Sequence, residues 1–368
     1  MTLKKNAFII TNPMIAANRS AEVTLSKFLR VIKPSFDKLT VIGGNLSIEP
    51  DLHDVELVSF KILRAGNKVK RAIDILCLQF RMSSAVMHLI QGGDIVFFWI
   101  GDKMFLPFKA AKRKNADVYY FIMGNVAKEG NVSVFTKISA RLIRYMAEHA
   151  AFVCMESKSV IDEWPELKAE RTKVIHLFST NIEMNAVGSR ENVIGMVCRL
   201  TAGKHVLESI EAMVSIHNQH PDWKLEIIGS GRQQVECEHL IKVMDAHDYI
   251  RLLGWVEHED IIEKSKKWKY LLFPTDTEGM PNGLIEMMGR GIPALASPVG
   301  GIKDILIDKK NGFVLSNTTV DSIADGLNKI IDLDSESYKS LAEGAYYIVN
   351  REYSLEGAIK NSVRVIGA

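Results

Sequence analysis

Short runs of β-branched and aromatic residues recur along the 368-residue chain, separated by stretches whose apolar positions repeat with a helical period. Ala7–Thr11, Leu39–Ile42, Val55–Phe60, Asp94–Trp99, Val118–Ile122, Phe152–Met155 and Val174–His176 predict one series of strands. Val193–Val197, Leu225–Ile228, Ile250–Leu253, Tyr270–Phe273, Pro293–Ala296 and Phe313–Leu315 predict a second. Ser20–Val31, Lys68–Ile90 and Lys204–Asn218 lie between strands and read as helices. Buried apolar strands alternating with helices imply parallel sheets wound on both faces, and the pattern occurs twice. The polar segment Ser179–Asn192 carries Gly188-Ser189 and has no sustained period, so the break belongs there. The expectation is an α/β chain of two Rossmann-like domains facing across a cleft, residues 1–180 and 190–353, with ligands at the carboxyl ends of the strands.

Composition narrows this picture. With 47% hydrophobic and 24% charged residues the chain is no disordered, collagen-like or disulfide-framework protein. The net charge of +2 argues against a dedicated nucleic-acid binder. That sum conceals a division. Residues 1–180 hold 26 Lys and Arg against 17 Asp and Glu, and residues 181–368 hold 20 against 27. The basic residues cluster at Lys61, Arg64, Lys68, Lys70 and Arg71, and again at Lys109, Lys112, Arg113 and Lys114.

The segment Lys68–Ile90 has a cationic start and an apolar body. Val69, Ile73, Leu76 and Phe80 form one face, and Leu78, Met82 and Leu89 another. It reads equally as a buried helix with a charged first turn or as a surface that approaches anionic lipid. The four cysteines form no C-x-x-C pair, which suits a reducing cytosol and gives no zinc site. Lys4-Lys5 precede an apolar stretch cut by Asn12-Pro13, too short for a signal peptide, and the run Ile95–Ile100 is too short to span a bilayer. The expected location is the cytoplasm, or the inner face of the membrane as a peripheral protein.

Thr275–Glu286 is the segment richest in chemistry. It follows an apolar strand and enters a helical pattern. Gly279 and Gly283 let backbone approach a ligand, and a helix N-terminus there suits a phosphate. Glu278 and Glu286 can accept hydrogen bonds from sugar hydroxyls, though a helix cap and a solvated face residue explain them as well. Gly195–His205 repeats the strand, turn, helix order, with Arg199 and Lys204 around a small-residue loop. Such cations neutralise a diphosphate, or form ordinary surface ion pairs. Gly229-x-Gly231 lacks the third glycine of a dinucleotide fingerprint, with Gln234 in its place. Isolated histidines such as His176 and His205 read as structural, and Asp332-Leu-Asp334 as solvated surface.

Taken together, Arg199-Leu with Lys204, Ile227–Gly231, Leu253–Val256, Glu278–Glu286 and Pro298–Ile302 resemble glycosyltransferase family 4, the retaining "group 1" type of GT-B fold. The motifs cover about residues 192–330, and the resemblance of residues 1–180 is architectural only. It implies that Arg199 and Lys204 hold the diphosphate of a nucleotide-sugar, with Glu278 at the sugar and Glu286 on the ribose. By the same resemblance, amides of Gly279, Met280 and Asn282 meet sugar hydroxyls, and Gly283 and Leu284 cap the phosphates. The main chain of Gly254, Trp255 and Val256 contacts the base, which fits uracil. Residues 354–368 cross back to the N-terminal domain.

The implied reaction moves a hexosyl or N-acetylhexosaminyl group to a glycan or lipid-linked acceptor, in cell-surface polysaccharide or glycoconjugate synthesis. It needs no metal and no cofactor. In this scheme the first half binds the acceptor and the second the donor. Two departures from the family stand out. Asn18–Glu22 occupies the place of a Gly-Gly pair, leaving Arg19 as a candidate cation, and Asn125 stands near the place of a His. A UDP-sugar epimerase and a nucleotide-sugar-binding subunit without activity are the competing readings.

Overall fold

The computed structural model describes residues 6–13, 19–62, 67–101, 103–122, 134–162, 169–180, 182–186, 188 and 190–367; of residues 19, 20, 68, 69, 134–137 and 169 it describes the backbone only. The chain forms two compact units, Met1–Phe178 with Ala358–Ala368, and Ser179–Gly357.

The first unit is built on a parallel sheet of β1 (Asn6–Ile10), β2 (Lys38–Gly44), β3 (Glu56–Phe60), β4 (Ile95–Phe98), β5 (Asp117–Phe121), β6 (Phe152–Met155) and β7 (Thr172–Val174). Its order is β3-β2-β1-β4-β5-β6-β7, and the direction of winding reverses between β1 and β4. Successive side chains point to opposite faces, so each strand feeds two cores. Phe8, Ile10, Val96 and Phe98 pack under the helix Lys68–Leu89, against Leu78, Met82 and Val86. Ile9, Phe97 and Trp99 pack on the other face, against Leu25, Phe28 and Leu29 of the helix Arg19–Ile32. There the Phe28 and Trp99 rings stack 4.1 Å apart. This two-sided burial is why the strands are apolar throughout rather than alternating.

The helix Lys68–Leu89 turns only part of its apolar surface inward. Leu78, Met82 and Val86 are buried, whereas Ile73, Leu76, Phe80, Met87 and Leu89 are exposed. Leu89 therefore does not share the buried face with Leu78 and Met82.

The helix Leu355–Gly367 joins the first unit from Ala358 on. Ala358 is fully buried, the Ser362 hydroxyl donates to the Val31 carbonyl at 2.7 Å, and the Lys173 ammonium donates to the Val365 carbonyl at 2.6 Å.

Glu156, half-buried just after β6, has its pKa pushed up to about 7 by loss of solvent around the carboxyl. In the unfolded chain it titrates near ~4.3. Between these values the folded state holds the proton more tightly, so stability falls as pH rises and stays lower above the folded pKa. Glu156→Gln is expected to remove this loss, stabilising the protein by up to about 3 kcal/mol near pH 8 and little below pH ~4. Urea titrations at both pH values check it; an equal effect at each contradicts it.

The second unit carries β8 (Val193–Val197), β9 (Lys224–Ile228), β10 (Ile250–Leu252), β11 (Tyr270–Phe273), β12 (Ala294–Ala296) and β13 (Gly312–Val314). These parallel strands run in the order β10-β9-β8-β11-β12-β13, so the reversal lies between β8 and β11. Helices Val206–His217 and Val320–Ile331 pack with Ile194, Met196, Leu225 and Leu272 on one face. Asn282–Met288 and Ser335–Tyr353 pack with Val193, Leu271 and Phe273 on the other. Asp334, expected as solvated surface, caps the second of these helices by accepting from the amides of Glu336 and Ser337.

Within Ser179–Asn192, where the break is expected, Asn185 and Arg190 bond to residues of the second unit. The Asn185 amide donates to the Arg290 carbonyl at 3.1 Å, and the Arg190 guanidinium donates to the Gly291 carbonyl at 2.5 Å and the Tyr338 hydroxyl at 2.6 Å. These bonds place the segment in the second unit, and the division falls between Phe178 and Ser179.

Candidate functional site

Strands β8 and β11 are neighbours at the point of reversal, so the loops that leave their carboxyl ends rise side by side. The first runs through Cys198–Leu200 and a 3₁₀ turn, Ala202–Lys204, into the helix Val206–His217. The second runs from Pro274 to Pro281 and into the helix Asn282–Met288. Between them lies a cavity of about 210 Å³, lined by residues of both loops and by Asn282 and Gly283 at the helix start.

Backbone contacts fasten the two loops together. The Asp276 amide donates to the Gly203 carbonyl at 3.1 Å, and the Thr275 hydroxyl stands 3.2 Å from the same oxygen. The loop at 298–302 backs them, the Gly301 amide donating to the Gly279 carbonyl at 3.0 Å. Gly300 has φ +47°, and a Cβ there would run into the Glu278 carbonyl. Only glycine allows that approach. Gly229 and Gly231 serve a similar close approach, against the carbonyls of Cys198 and Leu200. Their spacing is thus accounted for by packing beside the site.

Inside the cavity the Lys204 ammonium forms an ion pair with the Glu278 carboxylate and donates to the Thr275 hydroxyl at 3.0 Å. Each partner of the pair is only 16% exposed. The two residues assigned separately from sequence, one to a diphosphate and one to a sugar, therefore neutralise each other in the free protein. Arg199 is exposed at the rim, and its side chain has no hydrogen-bond or ion-pair partner among the described residues. Burial pushes the Cys198 thiol up to about 12, so this wall of the cavity is neutral at physiological pH. No side chain caps the helix Asn282–Met288; the Asn282 amide donates to the Met280 carbonyl at 3.0 Å, and the amides of Gly283 and Leu284 precede the first helical bond, from Ile285 to Pro281.

The structure brings Arg199, Lys204, Glu278, Asn282 and Gly283 into this cavity. Gly279, exposed, and Met280, packed on the core, belong to the same loop but are not part of the lining, and Leu284 is buried beneath it. Glu286 sits further along the helix, 17% exposed, with its carboxylate 3.6 Å from the His258 imidazole. His258 follows Gly254, Trp255 and Val256. Gly254 has φ +69° and accepts from the Gly229 amide, Trp255 is exposed, and Val256 packs on the core. Arg19 begins a helix, with its side chain outside the described residues; Asn125 lies outside them altogether.

Two features escape a reading of the sequence. His205, expected to be an isolated structural histidine, has its Nε2 2.6 Å from Asp276 Oδ1 and its Nδ1 3.3 Å from Glu208 Oε1. It adopts φ +48°, a strained conformation for a bulky side chain, directly after Lys204. His205 is thereby a positioning residue, tying the turn that bears Lys204 to the loop that bears Glu278. The second is His258 beside Glu286. The His205–Asp276 and His258–Glu286 contacts carry no local signal, because the partners are 71 and 28 residues apart. Among the described residues no three His, Cys, Asp or Glu side chains gather as a metal-ligand set. The arrangement is a small polar pocket with an exposed cation, a paired carboxylate and an uncapped helix start. It suits an anionic ligand that also bears hydroxyls.

Comparison with known proteins bears on this pocket. Residues 179–347 match the model of glycosyl transferases group 1, a span that holds both loops. An uncharacterised glycosyltransferase of Haemophilus influenzae is 25% identical over 97% of this chain and 98% of its own. The GtfA subunit of a UDP-N-acetylglucosamine–peptide N-acetylglucosaminyltransferase of Streptococcus gordonii is 32% identical, over 42% of this chain and 31% of its own. In fold, the structure of Anabaena HepE in complex with UDP superposes with a TM-score of 0.75 at 16% identity, covering 99% of both chains. Staphylococcus aureus TarM, solved with UDP, gives 0.71 at 12% identity, over 99% of this chain and 100% of its own. The match to the glycosyl transferases group 1 model thus spans most of the second unit, and the chain has the GT-B fold of HepE and TarM.

Proposed function

We propose that the protein transfers a hexosyl or N-acetylhexosaminyl group from a UDP-sugar to a glycan or lipid-linked acceptor, with retention of anomeric configuration, as in glycosyltransferase family 4. The observation that carries this reading is the Lys204–Glu278 ion pair in the cavity between the β8 and β11 loops. A donor diphosphate brings its own negative charge to Lys204 and Arg199, which frees the Glu278 carboxylate to accept from sugar hydroxyls. A relative named as a UDP-N-acetylglucosamine-dependent transferase subunit and structural neighbours solved in complex with UDP support a uridine donor.

In the proposed step the bond from the anomeric carbon to the diphosphate oxygen breaks as the bond to the acceptor oxygen forms on the same face. The acceptor's proton leaves with the departing phosphate. Negative charge grows on that phosphate, where Lys204, Arg199 and the amides of Gly283 and Leu284 stabilise it. The reaction in this scheme needs no metal, and turnover is expected to survive EDTA unchanged.

A thermal-shift screen with UDP-, GDP- and ADP-sugars tests the donor, followed by turnover with the best binder and NMR of the product anomer. The reading expects stabilisation by a UDP-sugar and a product of unchanged configuration. Inversion, or a demand for divalent metal, overturns the mechanism. Free UDP with an epimerised sugar and no acceptor identifies an epimerase, and binding without turnover across acceptors identifies an inactive subunit.

A further inference from the structure

The helix Lys68–Leu89 of the first unit covers its sheet with Leu78, Met82 and Val86 and leaves a second apolar stripe in the open. Ile73 is 55% exposed, Leu76 49%, Phe80 61% and Met87 42%. At about 100° per residue these four lie within a sector of roughly 60° that runs most of the helix length. The exposed Cys77 and Ser84 fill the same stripe without interrupting it with charge. Large apolar side chains scattered singly over a surface are ordinary, but a continuous stripe on one helix marks a contact face.

Charge around the stripe points to what covers it. Lys70 and Arg81 are exposed along one edge of the stripe, and Lys61 is exposed at the end of β3. Against them the helix carries one acid, the half-buried Asp74. The Arg81 guanidinium lies 4.8 Å above the Phe60 ring centroid, which holds its charge beside the stripe. A second copy docking through the same helix would oppose cations with cations across the axis. An anionic bilayer answers both features, taking the apolar stripe into its acyl boundary and the flanking cations onto its head groups.

We infer that this helix lies in the surface of an anionic phospholipid bilayer, with Ile73, Leu76, Phe80 and Met87 inserted and Lys70 and Arg81 on the head groups. No described helix is long and apolar enough to cross a membrane, so the contact is interfacial. The inference rests on exposure and charge and not on the glycosyl-transfer reading, so the two fail separately.

Co-sedimentation of the full chain with phosphatidylcholine vesicles, with and without phosphatidylglycerol, tests it at low and high salt. Strong partitioning onto anionic vesicles is expected, with little onto neutral ones and a fall as salt rises. The double variant Leu76→Glu/Phe80→Glu is expected to lose binding, and Lys70→Glu/Arg81→Glu to weaken it on the order of tenfold or more. Val235→Glu, on the 75%-exposed Val235 of the second unit, is expected to change nothing. All these positions are exposed, and circular dichroism checks the fold. If the double variant misfolds, Phe80→Ser alone is expected to lower partitioning severalfold. Absence of binding to anionic vesicles, or binding that these variants leave intact, overturns the inference. So does a concentration-dependent dimer abolished by Phe80→Ser, which would give the face to a second copy.

Discussion

Lys204→Ala is expected to lower kcat/KM by on the order of 10³, the loss found when a preorganised donor to a developing anion is removed. The structure makes this more than the loss of one charge. In the free protein the Lys204 ammonium answers Glu278 and donates to Thr275, all within a small cavity. Without it the carboxylate stands alone at the proposed diphosphate site, and repulsion of that donor adds to the missing attraction. Arg199→Ala is expected to be milder, on the order of 10². That side chain has no partner among the described residues to leave behind. In the double variant Lys204→Ala/Glu278→Gln, part of the donor affinity lost in the single variant is expected to return. Initial rates with the best UDP-sugar, together with thermal shift by UDP, measure all three. Near-normal turnover of Lys204→Ala would end the diphosphate assignment.

The largest effect on stability is expected from Gly195→Ala, about 3 kcal/mol or more. Gly195 lies mid-strand in β8, and a Cβ there would overlap the indole of Trp268 more closely than real Cβ contacts allow. The ring has little freedom to withdraw. Trp268 is fully buried, its Nε1–H donates to Glu226 Oε2 at 2.9 Å, and Glu226 Oε1 accepts from Lys267 at 2.6 Å. Shifting the indole strains the strand, or breaks its bond and leaves part of a carboxylate that is only 4% exposed unsatisfied. Urea denaturation followed by circular dichroism measures the loss. Partial rescue by Trp268→Leu in the same chain separates steric overlap from any other effect of alanine. A change below about 1 kcal/mol would contradict the packing argument.

Much of the fold was legible because a parallel strand buried on both faces cannot hide its composition. Each predicted run falls on an observed strand or overlaps one, with ends displaced by a residue or two: the ladder of backbone hydrogen bonds stops short of the apolar run in Ile95–Phe98 and passes beyond it in Lys38–Gly44. The boundary was less legible. Residues 179–192 look like a linker because they are polar and aperiodic, yet Arg190 and Asn185 spend their polar groups on carbonyls about a hundred residues away. Polarity alone does not distinguish a solvated linker from a segment held by such bonds. The helix Lys68–Leu89 posed the same difficulty, since two apolar faces on one helix do not reveal which one the sheet takes.

In the pocket, the loops that bear Arg199, Lys204 and Glu278 could be found from local spacing, because each is a strand-to-helix turn with small residues where backbone must come close. Their relations could not. That Lys204 is paired with Glu278, that His205 clamps Asp276 and that His258 approaches Glu286 depend on β8 lying next to β11 and on the loops that flank them. By itself the sequence determined two α/β units, the strands that build them and the turns that carry the chemistry, because periodicity and glycine placement act over a few residues. Only the tertiary structure decided which charges neutralise one another, which apolar stripe faces outward and where one unit ends. Those outcomes are set by contacts between segments far apart in the chain, whose energies no local pattern contains.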